Sequence, residues 1–103
     1  MENFSKKHLG KNVLVRSYGA GVHFGELVEF VTPTIIVLKN SRMIHYWDGA
    51  AAINEIAKTG VINNNSRVTV PVDEVYISQV LEIIPLSETS FNNLNSMKAW
   101  TRN

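Results

Sequence analysis

Turn residues punctuate this chain so often that few folds are open to it. Short apolar and β-branched runs are cut at close intervals by glycine, proline or asparagine. Such runs read as antiparallel strands joined by tight connections. Residues 11–18 form the first, with Val13 and Val15 on one face. Residues 19–21 carry two glycines and make a turn, because glycine tolerates positive φ. Residues 22–31 read as a second strand, with Gly25 marking a bulge or a close backbone approach. Pro33 ends it. Residues 34–39 are a short run expected to be buried on both faces. Asn40-Ser41 reads as a turn, and residues 42–47 as a fourth strand.

The rhythm then changes. Asp48 reads as an N-cap and residues 49–59 as a helix. Ala50, Ile53, Ile56, Ala57 and Gly60 fall on one stripe, with Gly60 at the C-terminal stop. Residues 61–66 read as a loop. Residues 67–72 and 75–84 are further strands, the latter bent near Ser78-Gln79 and stopped by Pro85. Ser87 can cap a helix over residues 87–97, and Trp100 follows. The expected fold is mainly β (α+β): a small antiparallel sandwich or barrel with one inserted helix, about 49–59, and a C-terminal helix, about 87–97. With 103 residues the chain is one domain, 1–103.

Composition removes whole classes of function. There is no cysteine, so no disulfide scaffold, thiolate nucleophile or Cys-based metal site. The formal charge is +1, which argues against a large footprint for nucleic acid or an anionic membrane. No apolar run reaches the roughly 18–20 residues of a membrane span. The start is polar and lacks a signal-peptide core, so the cytoplasm is the expected compartment. His8, His23 and His45 are scattered and show no ligand spacing. Asp73 and Glu74 would point to opposite faces of a strand, and Asp73 reads instead as a turn residue after Pro71. No nucleophile elbow or phosphate-binding loop is present. The sequence therefore points to a binder, not an enzyme, with no metal and no cofactor.

Three segments carry binding chemistry. Arg42, Tyr46, Trp47, Gly49 and Ala50 lie close together. Aromatic faces and a guanidinium suit a purine and a phosphate, and small residues at a helix start let an anion approach. The competing reading makes Tyr46 and Trp47 core, Asp48 a cap and Arg42 a solvated side chain. The turn through Ala20, Gly21, Val22, His23 and Phe24 can offer backbone N–H groups, or be a plain hairpin loop. The C-terminal Lys98, Trp100 and Arg102 can close over a ligand, or dock a helix end on the sheet.

Residues 13–18 with Ala20-Gly21-Val22, residues 37–40 with Arg42, Tyr46-Trp47 with Gly49-Ala50, residues 55–57 with Gly60-Val61, and residues 71–75 leading into residues 82–85 form a set of strings. Together they resemble a family of small phage and prophage proteins. The resemblance extends from Lys11 to about Trp100. Met43 and His45 depart from it, since a second basic or aromatic residue is usual there. The chain also resembles the phage anti-Thoeris sponges, small β-sandwiches that bind cyclic ADP-ribose isomers and hold them without cleavage. That resemblance implies a phage counter-defence protein in the infected host's cytoplasm. Its partner would be a small cyclic nucleotide, and it would form a homo-oligomer, a dimer or larger. Residues 13–30 also resemble Sm-like small barrels, which implies single-stranded RNA as an alternative ligand. A phage structural or adaptor role is a third reading.

Overall fold

The computed structural model describes residues 7–101. Its strands are β1 (Asn12–Ser17), β2 (Gly21–Thr32), β3 (Ile35–Tyr46), β4 (Arg67–Val68), β5 (Val72–Ile77) and β6 (Val80–Pro85). Helix α1 (Ile53–Thr59) and a 3-10 turn (Asn63–Asn65) lie between β3 and β4, and α2 (Glu88–Asn95) follows β6. The fold is mainly antiparallel β with two helices, as the turn pattern predicts.

All strand pairs are antiparallel and run in the order β4-β3-β2-β1-β6. β5 shares the outer edge of β3 with β4, pairing its first half while β4 pairs its end. Because β5 and β6 join through Ser78 and Gln79, the sheet curls until its two ends are adjacent in the chain. Gln79 sits at φ 54 in that corner, and its carbonyl accepts from Tyr18 N at 3.0 Å. The bend read at Ser78-Gln79 therefore divides two strands.

Curling gives the sheet two apolar faces. Val13, Val15, Leu27, Ile36, Leu38 and Ile77 fill the concave side. Leu14, Val22, Phe24, Ile44 and Val68 line the other, where Ile56 and Ala57 of α1 and Leu94 of α2 cover them. Strand alternation accounts for the split on β1, with Val13 and Val15 inward and Leu14 toward the helices. Ser87 caps α2, its hydroxyl accepting from Ser90 N at 3.0 Å. It also donates to the Lys58 carbonyl at 2.6 Å, and Ser90 Oγ donates to the Ile56 carbonyl at 2.5 Å. The end of α1 is thereby bonded to the start of α2.

Three boundaries differ from the sequence reading. The strands expected over residues 34–39 and 42–47 are one strand, β3 (Ile35–Tyr46). Asn40 adopts φ 53, and an extra residue is accommodated opposite Gly25, where the β2–β3 register shifts. The region is a bulge, not a turn. The inserted helix begins at Ile53, not residue 49, and its N-cap is Ala52, with no side-chain cap. Asp48 is engaged elsewhere, as described below. The strand expected over residues 67–72 is only Arg67–Val68, and Asp73 and Glu74 lie within β5. No described helix is long and apolar enough to cross a membrane.

Gly25 is the tightest point of the β2–β3 bulge. A Cβ there would lie 3.0 Å from the Lys39 carbonyl oxygen and 3.1 Å from Ser41 Cα. Both are backbone atoms and cannot move alone. Gly25→Ala should cost about 1–3 kcal/mol through overpacking, read as a lower urea midpoint with an unchanged slope.

Candidate functional site

β4 is only two residues long, yet it has a partner on each edge. On one edge Val68 pairs with Ile44 and Arg67 with Tyr46 of β3. On the other, the C-terminal arm makes a parallel bridge, Val68 with Ala99, and Trp100 N donates to the Val68 carbonyl at 2.8 Å. The β3–β4 register shifts between Ile44 and Tyr46. Consecutive strand residues usually point to opposite faces, but a bulge brings two against one partner. His45 and Tyr46 thus both serve the same surface.

Here the exposed rings and a cation converge. His45 stacks on Trp100 with centroids 5.1 Å apart and an interplanar angle of 15°. The Arg67 guanidinium carbon lies 4.7 Å from the Trp100 ring centroid and 5.9 Å from that of Tyr46. These are cation–π distances. Tyr46 is 54% exposed and Trp100 49%, so both rings keep area for a ligand. The Arg67 side chain makes no hydrogen bond or ion pair with the described residues. Its five N–H donors remain available to an anion.

Tyr46, Arg67 and Trp100 share a cavity of about 340 Å³ with Asp48, Asn64, Asn65 and Ser66. The polar wall is held by hydrogen bonds. Asp48 N donates to Ser66 Oγ at 2.9 Å, and Ile62 N to the Asp48 carbonyl at 2.8 Å. The Asp48 carboxylate accepts from Gly49 N at 2.8 Å. Its use in this loop is why it does not cap α1.

The residues singled out from sequence divide sharply. Tyr46 and Trp100 come together at this cavity. Arg42 does not reach it and is only 6% exposed. It pairs with Phe24 across β2–β3 and so faces the helices. Its Nε donates to the Thr69 carbonyl at 2.9 Å, Nη1 to Asn95 at 3.3 Å and Nη2 to Met97 at 2.9 Å. Burial lowers its pKa from the ordinary arginine value. Arginine starts high enough to stay charged. The expectation of Arg42 as a ligand residue gives way to a backbone clamp. Trp47 is half-buried and packs on the core beneath the helices, as does Ala50. With α1 starting at Ile53, Gly49 and Ala50 are not at a helix start. Gly49 holds a turn at φ 89, where a Cβ would strike Ile62.

The β1–β2 turn also has structural duties. Val22 and Phe24 are buried core. Ala20 packs on the concave cluster. His23 Nε2 lies 2.8 Å from the Ala20 carbonyl oxygen. At Gly21, φ is 87 and a Cβ would approach Met43 Cε at 3.1 Å. Lys98 is exposed, and Arg102 lies outside the described residues. Sequence reasoning missed Arg67, His45 and residues 64–66. Only the cross-strand pairing of Arg67 with Tyr46 reveals them. Among the described residues no group of three or more His, Cys, Asp or Glu is placed to hold a metal ion.

Residues 10–94 match the family model described as Domain of unknown function (DUF6948). The chain belongs to this DUF6948 family. The matched span contains Tyr46, Asp48 and Arg67, while Trp100 lies beyond it. No curated protein and no solved structure matches the chain.

The two arginines should behave oppositely. Arg42→Met strips three carbonyls of their donor and should cost at least about 2 kcal/mol, since buried acceptors left unpaired are expensive. Arg67→Ala, on the surface, should change stability by less than about 1 kcal/mol. Equilibrium urea unfolding of the two variants measures both.

Proposed function

We propose that this protein is a non-catalytic nucleotide binder that captures a small ligand at the Tyr46–Arg67–Trp100 cavity. The observation that carries the reading is Arg67, a guanidinium with no acceptor among the described residues, set against two exposed rings. A base stacks on a ring face, while a phosphate takes the planar donor fork. Stacking of a base on an aromatic ring contributes about 1–3 kcal/mol.

The finer form of the proposal follows from the resemblance to anti-Thoeris sponges. The ligand is then a cyclic ADP-ribose isomer, held intact in the cytoplasm of an infected host. Ligand pockets span roughly 300–1,000 Å³, and this cavity, at about 340 Å³, is at the small end. It accommodates part of a dinucleotide-sized ligand. Full enclosure calls for a second wall, which a homo-oligomer would supply.

A second reading, single-stranded RNA, draws on the curled sheet with β5 and β6 adjacent in the chain. Its ligand would use the same rings and cation. Salt separates the two: RNA affinity falls steeply with salt because many phosphates are neutralised, whereas a single Arg67–phosphate contact gives a shallow slope.

The direct test is ligand release. Protein exposed to lysate from bacteria whose TIR-domain proteins are making cyclic ADP-ribose isomers is washed, heated, and its supernatant analysed by mass spectrometry. An intact cyclic ADP-ribose species in stoichiometric yield is expected, and Arg67→Ala and Trp100→Ala should each lose most of it while remaining folded. A cleaved product refutes capture without chemistry. Equal ligand yield from Arg67→Ala refutes the site.

A further inference from the structure

The cavity has two chemically different walls. Arg67 with the Tyr46 and Trp100 rings forms one, and Asp48 with residues 64–66 forms the other. Asp48 and Arg67 line the same space, yet no ion pair joins them among the described residues. A carboxylate repels phosphate, so a phosphate bound in this cavity belongs beside Arg67, away from Asp48. What suits Asp48 is a neutral group rich in O–H donors.

The carboxylate has capacity for that group. An ionised carboxylate offers about four acceptor positions. Asp48 Oδ1 accepts from Gly49 N at 2.8 Å, and Oδ2 has only a long contact, 3.4 Å, from Asn65 Nδ2. Its backbone is fixed by Ser66 and Ile62, as described above, so the acceptor is preorganised and little ordering is needed on binding. Asn64, Asn65 and Ser66 extend the same wall with neutral polar groups.

Building on the nucleotide reading, we infer that Asp48 accepts hydrogen bonds from the vicinal hydroxyls of the ligand's ribose, so that the site selects ribonucleotides over deoxyribonucleotides. The base stacks on the rings, the phosphate meets Arg67 and the sugar lies across the cavity at Asp48. Asp48 is thus a specificity-determining residue, while Arg67 supplies the charge attraction.

The test uses the full chain and calorimetry with AMP, 2′-deoxy-AMP, 3′-deoxy-AMP, GMP and ADP-ribose. Each missing hydroxyl should weaken binding about tenfold or more, the usual weight of a hydrogen bond to a charged group. Asp48→Asn keeps an oxygen for Gly49 N, so the loop should fold, and its melting temperature is measured alongside. In that variant the ribose preference should fall to within about threefold, with AMP losing more affinity than either deoxy form. Equal binding of AMP and both deoxy forms to the native protein overturns the inference and leaves the nucleotide reading standing. So does an undiminished ribose preference in Asp48→Asn. If GMP is strongly preferred while the deoxy sugar costs nothing, Asp48 reads a base edge, and the inference is again overturned. Failure of both AMP and ADP-ribose to bind removes the nucleotide reading and the inference together.

Discussion

One buried guanidinium ties together the parts of this domain that neither the strand ladders nor the helices can join. Arg42 reaches from the middle of β3 to three carbonyls: Thr69 just past β4, Asn95 at the last residue of α2, and Met97 where the C-terminal arm begins. The last turn of a helix has carbonyls with no intrahelical donor, and a cation there also meets the negative end of the helix dipole. Desolvating a charge is costly unless its donors are used. At Arg42 they are used on three backbone carbonyls, that of the buried Met97 among them. Since the arm runs on from Met97 to Ala99 and Trp100, the clamp also sets where the candidate site receives its outer ring.

Local chemistry made much of the framework legible. Pro33, the paired glycines and Ser87 end or start elements for reasons intrinsic to those residues, so their roles could be read without knowing any neighbour. Gly25 was legible as a close approach, although the extra residue of the bulge lies on β3 and not on β2. Asn40 misled because the left-handed conformation it favours serves bulges as well as turns. Asp48 misled in a similar way. It is a good cap in isolation, but Ser66, Ile62 and Gly49 compete for its polar groups, and α1 starts without it.

The candidate site was less legible, and the reason is topological. Tyr46 and Trp100 were recognisable as aromatic residues of interest, but Arg67 carries no local mark. It becomes part of a site only because a two-residue strand places it opposite Tyr46. The sequence points to Arg42 instead because it shares a stretch of chain with Tyr46 and Trp47. In a strand, closeness in sequence is a poor guide to sharing a surface. Arg42 faces the helices, Trp47 packs on the core, and Tyr46 reaches the cavity only through the register shift beside it.

The same topology explains how the candidate site can sit here without weakening the fold. The concave and helix-covered cores rest on β1, β2 and β3, whose inward residues are almost fully excluded from water. Beyond Val68, which is buried, β4 and the arm contribute mainly Arg67 and Trp100, both substantially exposed. Their side chains are positioned by backbone pairing to β3 and Val68, not by burial. Side chains held this way can change their contacts when a ligand arrives while the apolar core stays in place. A stable curled sheet thus presents a cation and two rings at its margin, and Asp48 with residues 64–66, joined by hydrogen bonds among themselves, supplies the facing wall.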